Sequence, residues 1–251
     1  MEYIELNISG NKNLSRDLKL RNRKITHFFY ISSVIYMMVF AIVGFWPTYF
    51  GLLLTELPIR HWSIHAHVII FIGWLLLLLT QVSLVAKGNT KIHRKLGIVG
   101  GFYGILMLFF GLAVAFMMPL ARIESGEWTL DQGASFLIHP LCDILVFVGF
   151  FITALYYRNK PELHKRLILI ASLMLIFPAI ARIEMTQFLR YSVWLIPLLT
   201  SLFLDGILRK RIYLANLIGI FVLIISVMGR YSISDTEWWI KIGRFLLNMF
   251  S

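Results

Sequence analysis

Residues 63–86 read SIHAHVIIFIGWLLLLLTQVSLVA, and no other segment constrains the architecture as strongly. The segment contains no Asp, Glu, Lys or Arg. As a helix it is long enough to cross a hydrocarbon core of about 30 Å. A run of this length and composition is typical of a transmembrane helix. Its few polar side chains lie towards its two ends, with His65 and His67 near the start and Gln81 near the other end.

Six further apolar runs of similar length lie on either side of this segment, which gives seven predicted spans in the chain. In chain order, spans 1 to 7 are residues 26–45, 63–86, 93–118, 135–157, 163–183, 188–208 and 213–228. The 251-residue chain is 59% hydrophobic and only 15% charged, which is less charge than soluble domains carry. We therefore expect an all-α polytopic bundle over residues 26–230, with the lipid bilayer covering most of its surface.

The basic residues are distributed unevenly among the loops. If the N-terminus faces the cytoplasm, segments on that side hold 17 of the 24 Lys and Arg residues, and the other side holds 7. Because Lys and Arg concentrate in cytoplasmic loops, we predict an N-in, C-out orientation. Membrane topology also accounts for the net charge of +11, so a nucleic-acid partner is not indicated.

The two ends of the chain fall outside the predicted spans. Residues 1–25 are polar and basic, and we expect a cytoplasmic tail. Residues 231–251 alternate aromatic, apolar and charged side chains, which predicts an amphipathic helix with Asp235 as its N-cap. Two placements remain open for this helix, one in the outer membrane interface and one packed against the bundle.

A helical hairpin is repeated in the middle of the chain. Span 2 carries His67 near its start and span 3 begins Ile-His93-Arg-Lys-Leu, while span 4 carries His139 and span 5 begins Leu-His164-Lys-Arg-Leu. The spacing within the hairpin is 26 residues in the first copy and 25 in the second. The repeat predicts a four-helix unit over residues 63–183, with one pair of histidines towards each side of the membrane.

This layout resembles the b561-type transmembrane di-haem cytochromes, in which helices 2 and 4 bind one haem and helices 3 and 5 bind the other. The resemblance covers residues 64–172 and is one of topology. It implies one or two haem b groups, held by His67 with His139 and by His93 with His164. His65 and His67 are about 200° apart on a helix, so only one can face the bundle, and the repeat spacing favours His67.

A second resemblance rests on local motifs and spans roughly residues 60–185. In this range the chain is similar to a widespread family of uncharacterised bacterial membrane proteins. The stretches that carry the likeness are His67-x6-Trp74-x6-Gln81, His93-Arg-Lys-Leu-Gly and His164-Lys-Arg-Leu with Pro178-Ala-Ile-Ala-Arg182. That family carries no settled activity. The resemblance implies a multi-pass protein of the bacterial plasma (inner) membrane.

Several other residues are candidates for a site. Arg182 could pair with a haem propionate, with a quinone or with Glu184. A nitrogen and oxygen set for copper or zinc on the outer side is the alternative, and it comprises His65, His67, His139 and Asp143, with His61 nearby. Span 3 carries four glycines, for which we favour close helix packing over space for a flat macrocycle: Gly97, Gly100, Gly101 and Gly104. Asp205 is expected to pair with Arg209 one turn later.

Two classes of function fit these features. The first is a membrane oxidoreductase that passes electrons through haem from a quinol or a cytoplasmic donor to an outer acceptor, such as another redox protein. The second is a non-haem accessory or assembly protein whose histidines are structural or bind a metal outside. A small-molecule carrier is less favoured, because the spans hold few polar residues at midplane, Thr80 and Gln81 among them. The single cysteine, Cys142, excludes an internal disulfide and a thiolate metal cluster.

Overall fold

The computed structural model describes the backbone of residues 2–55 and 62–250, and their side chains except those of residues 2–15 and Ser63. Within these ranges the chain forms eight α-helices: α1 Glu2–Phe45, α2 Trp62–Ala86, α3 Thr90–Glu124, α4 Leu130–Tyr156, α5 Pro161–Ile180, α6 Gln187–Arg209, α7 Leu214–Ile233 and α8 Glu237–Asn248. A π-helical turn, Trp46–Phe50, and a 3-10 turn, Gly51–Leu54, follow α1.

Helices α1 to α7 are long and apolar enough to cross a membrane, by length and composition. This confirms the predicted all-α fold and the seven spans. Some helices continue beyond the apolar runs. For example, α4 begins five residues earlier than predicted, because Thr129 and Gln132 form a reciprocal capping box at its start.

Residues 2–25, predicted as a tail, belong to α1. No proline interrupts this part of the sequence, so the helix continues into the apolar run. Its later residues also contact the bundle, since the Asn22 side-chain amide donates to the carbonyl of Leu208 at the end of α6 (3.2 Å). The segment is therefore a helical extension of the first span.

Helix α5 lies at the centre of the bundle and packs against α1, α4, α6 and α7. In its most apolar 18-residue stretch, 67% of the residues are buried. In the corresponding stretches of the other six spans, 22–33% are buried. A helix that is apolar on all sides is suited to such a central position. The outer helices expose large apolar side chains instead, such as Ile69, Phe109 and Leu145, which suits a surface facing lipid.

Trp74 joins the two hairpins of the repeat. Its indole nitrogen donates to the Ser172 hydroxyl of α5 (3.3 Å), and its ring packs edge-on against Phe147 and Phe151 of α4. Gly104 of α3 lies so close to Phe151 that a Cβ there would collide with the ring. Close packing therefore explains Gly104. It does not explain Gly101, where a Cβ would meet no described atom within 4 Å.

Helix α8 packs against the first turns of α4. Gly243 lies against Ala134, and the Trp239 indole donates to the Ala134 carbonyl (2.9 Å). The N-cap residue of α8 is Thr236, so the prediction that Asp235 caps this helix is wrong. Asp235 instead accepts a hydrogen bond from the Ser135 hydroxyl of α4 (2.6 Å), because packing brings the two helix starts together.

Substituting Gly44 with Ala is expected to separate α1 from α5. A Cβ at this position would collide with the backbone of Ala179, and a helix backbone cannot move aside as a flexible side chain can. We expect a loss of about 1–3 kcal/mol in the free energy of unfolding, measured in detergent. Gly149→Ala is the matched control, since a Cβ there meets no described atom within 4 Å. An equal loss in both variants would contradict this close contact.

Candidate functional site

The helix ends gather into two groups. We call the end formed by residues 87–89, 157–160 and 210–213 the basic end, and the end formed by residues 125–129, 181–186 and 234–236 the α8 end. His93 and His164 lie near the basic end, whereas His67 and His139 lie towards the α8 end. This matches the distribution of histidine pairs expected from the repeat.

His93 occupies the first turn of α3 and is held by Gln81 near the end of α2. With its amide turned so that all partners are complementary, Gln81 donates to His93 Nδ1 (2.6 Å) and to the His93 carbonyl (3.2 Å). Its oxygen then accepts from the backbone N–H of Gly97 (3.0 Å). One side chain of α2 therefore fixes both the His93 ring and the first turns of α3.

His164 is held in an analogous way by the other hairpin. Its Nδ1 forms a hydrogen bond with the carbonyl of Ala154, near the end of α4 (2.8 Å). The structure places both members of the predicted inner pair at the basic end, with each Nδ1 engaged by the preceding helix.

The outer pair has a different environment. His67 stacks on Phe71, with ring centroids 4.0 Å apart, and hydrogen-bonds to the backbone of Phe110. Its Nδ1 is buried and has no hydrogen-bond partner among the described residues. An unpartnered buried nitrogen is uncommon and retains a free lone pair if it is unprotonated.

His139 packs beside Tyr231 of α7, with ring centroids 4.9 Å apart, and beside Phe136 of its own helix. Helix α4 continues through Pro140, and the His139 carbonyl accepts a hydrogen bond from Arg230 (3.1 Å). The described contacts of His67 and His139 share no residue. The structure therefore does not bring the outer pair together through a common contact.

The predicted metal set is also dispersed. Among residues 2–55 and 62–250, no group of three or more His, Cys, Asp or Glu side chains lies close enough to hold a metal ion. His65 hydrogen-bonds to the hydroxyl of Tyr49 (2.8 Å), and Asp143 forms an ion pair with Arg230. His61 lies outside the described residues.

Arg182 lies just beyond α5. Its guanidinium donates to the carbonyl of Pro178 (2.6 Å) and lies over the ring of Phe45 of α1 (4.6 Å). These contacts connect the ends of α5 and α1. They explain the position of the Arg182 side chain without a haem propionate, a quinone or Glu184, the three partners expected from the sequence.

A buried polar cluster at the basic end was not foreseen as a unit. Arg166 is 1% exposed, and its Nε donates to Asp205 of α6 (2.9 Å) in a two-point ion pair. The Asn216 amide of α7 donates to the same carboxylate (2.9 Å). The guanidinium also stacks over the ring of Tyr213 (3.8 Å). The predicted contact of Asp205 with Arg209 is confirmed (3.6 Å), but Arg166 is its closer partner.

A second buried ion pair lies towards the α8 end. Arg230 of α7 is 3% exposed and pairs with Asp143 of α4, which is 6% exposed. The guanidinium also lies over the ring of Phe177 of α5 (5.0 Å). Ionisable residues within apolar spans are costly, so each such residue in the sequence is a reason to look for a buried partner.

Comparison of the chain with protein-family models, curated proteins and solved structures gave no match.

Proposed function

We propose that this integral membrane protein transfers electrons by means of a b-type haem held between His93 and His164. The observation that carries the proposal is the equivalent support of the two imidazoles. Each stands in the first turns of the second helix of its hairpin, and each has its Nδ1 engaged by the first helix of the same hairpin. Such support orients the ring and is typical of imidazoles that ligate a metal through the other nitrogen.

The two histidines at the basic end fit a haem on one condition. If the His164 Nδ1–H donates a hydrogen bond to the Ala154 carbonyl, Nε2 keeps the free lone pair with which the imidazole would hold a haem iron. For His93 the hydrogen bond from Gln81 leaves the lone pair on Nδ1 and the proton on Nε2, so haem binding would require the ring to change tautomer and Gln81 to give up its contacts with the His93 carbonyl and the Gly97 N–H. A haem bound here would supply one-electron redox chemistry, and the chain would supply the ligands and their orientation.

We place the haem at the basic end, because there both imidazoles are held by a hydrogen bond at Nδ1. A second haem between His67 and His139 is supported only by the free Nδ1 of His67. Through the charge distribution, the basic end is assigned to the cytoplasmic side of a bacterial plasma membrane. An electron donor would then reach the haem from the cytoplasm or as a quinol within the bilayer.

A non-haem accessory role is the second candidate. It is favoured by the aromatic packing of Trp74 against Phe147 and Phe151, which joins α2 to α4 directly. In that case Gln81 and His93 would hold the hairpin together, as buried polar groups often do. The motifs shared with uncharacterised bacterial membrane proteins are compatible with either function.

The reduced-minus-oxidised optical spectrum of detergent-purified protein, expressed with a haem precursor, tests the proposal. We expect cytochrome-type bands in the unaltered chain and their loss in His93→Ala and in His164→Ala. His27→Ala is the control and should retain the bands, since His27 belongs to neither pair. A spectrum without such bands in the unaltered chain would support the accessory role. Bands that persist in both His93→Ala and His164→Ala would contradict the assigned ligands.

A further inference from the structure

We propose that α8 lies at the boundary between the bundle, the lipid and the water, with its apolar outer face inserted into the leaflet at the α8 end. Four side chains form this face: Trp238, Ile242, Phe245 and Met249. The lipid hydrocarbon at the level of the headgroups is the partner. This inference concerns the membrane surface and is independent of any haem.

Helical geometry divides α8 into three faces. At about 100° per residue, three sets of side chains are centred roughly 120° apart around the axis. The first set packs on α4 and comprises Trp239, Gly243 and Leu247. The second is polar and comprises Glu237, Lys241, Arg244 and Asn248. The third is the apolar face named above. A helix lying on a soluble protein needs only the first two faces, so the third requires a partner of its own.

The outer apolar face is open in the structure. Exposed fractions are 53% for Trp238, 42% for Ile242, 65% for Phe245 and 64% for Met249. Large side chains aligned in this way form a contiguous patch, which soluble surfaces rarely leave in water. Their spacing of four, three and four residues keeps them on one side of the helix.

The position of α8 indicates that lipid covers this face. Three contacts attach the helix and the residues before it to the first turns of α4, which is a span: Trp239 to the Ala134 carbonyl, Arg244 to Asp131, and Asp235 to Ser135. The start of a span lies near the headgroups, where tryptophan and basic side chains are enriched. The spans expose apolar side chains, such as Phe109 and Leu145, and the apolar face of α8 would meet the same lipid while its polar face turns towards water.

Spin-label accessibility in the full-length chain tests this assignment. In a Cys142→Ser background, single variants Ile242→Cys and Phe245→Cys report on the apolar face. The matched controls Lys241→Cys and Asn248→Cys report on the polar face, and Trp239→Cys reports on the face against α4. Each labelled protein is reconstituted in phosphatidylcholine vesicles, and power-saturation electron paramagnetic resonance compares collisions with oxygen, which enters lipid, and with a water-soluble nickel chelate.

We expect a ratio of oxygen to nickel collisions several-fold higher at positions 242 and 245 than at 241 and 248. Position 239 should be protected from both reagents. Nickel collisions at 242 and 245 equal to those at 241 would place the face in water and overturn the proposal. Protection of 242 and 245 from both reagents would place another protein surface, such as a second copy, over the face and would also overturn it.

Discussion

Asp205→Ala is expected to lower the free energy of unfolding by about 3–5 kcal/mol, because it leaves the buried guanidinium of Arg166 without its main counter-ion. Arg166 has 2% of its side chain exposed, so water cannot replace the lost carboxylate. Glu162 retains its carboxylate contact with Arg166 (3.0 Å), and its backbone carbonyl still accepts from the same guanidinium, which limits the loss. The Asn216 amide also loses an acceptor and keeps only Ser201 (3.1 Å). Reversible unfolding of purified protein in mixed detergent with SDS measures the effect.

Arg209→Ala is the matched control for this variant. Arg209 contacts the same carboxylate and also pairs with Glu162, but its side chain is 27% exposed, so its removal should cost only about 1 kcal/mol. The difference in the free energy of unfolding between the two variants measures how much of the loss comes from leaving the buried Arg166 without its counter-ion. Similar losses in Asp205→Ala and Arg209→Ala would show that the Arg166 ion pair does not stabilise the bundle as argued.

Arg230→Met is expected to destabilise the other end of the bundle by a similar amount, about 3–5 kcal/mol, because Asp143 would then be buried without a cation. Met replaces the aliphatic part of the Arg230 side chain but not the guanidinium that lies over Phe177. The double variant Asp143→Leu with Arg230→Met should recover much of the loss, since replacing both members of a buried pair by apolar groups is often nearly neutral. The same unfolding assay applies.

The double variant separates two explanations of the single one. If the loss in Arg230→Met came from missing packing, the second substitution would add a further loss. If it comes from the stranded carboxylate, the second substitution removes the cause. A double variant that is less stable than Arg230→Met would therefore contradict the ion-pair explanation.

The spans were predictable because their signal is local. An uninterrupted apolar run such as 63–86 leaves few alternatives to a transmembrane helix. The inner histidine pair was also predictable, since His93 and His164 begin helices that follow loops on the same side. The hydrogen-bond partners of these two rings do not follow from the repeat. Gln81 contacts His93 through its side-chain amide, whereas Ala154 contacts His164 through its backbone carbonyl.

The buried ion pairs were harder to foresee because they depend on rotation of the helices about their axes. Arg166 reads in the sequence as one more basic residue at a cytoplasmic loop, and only packing shows that it points inward to Asp205. The same holds for Asp143, which was interpreted as a metal ligand and is paired with Arg230. The neighbours of His67 and of His139 are likewise set by packing, which the spacing along the chain does not contain.

The central position of α5 has a bearing on how the chain is assembled during synthesis. The carboxylate that neutralises Arg166 belongs to α6, 39 residues later in the chain, and Asn216 follows in α7. When α5 first enters the membrane, its most polar residue has only Glu162, one turn earlier, as an acidic neighbour in its own helix. The apolar packing of α5 on α1 and α4 is available before that point, whereas the ion pair that neutralises Arg166 forms only after α6 has joined the bundle.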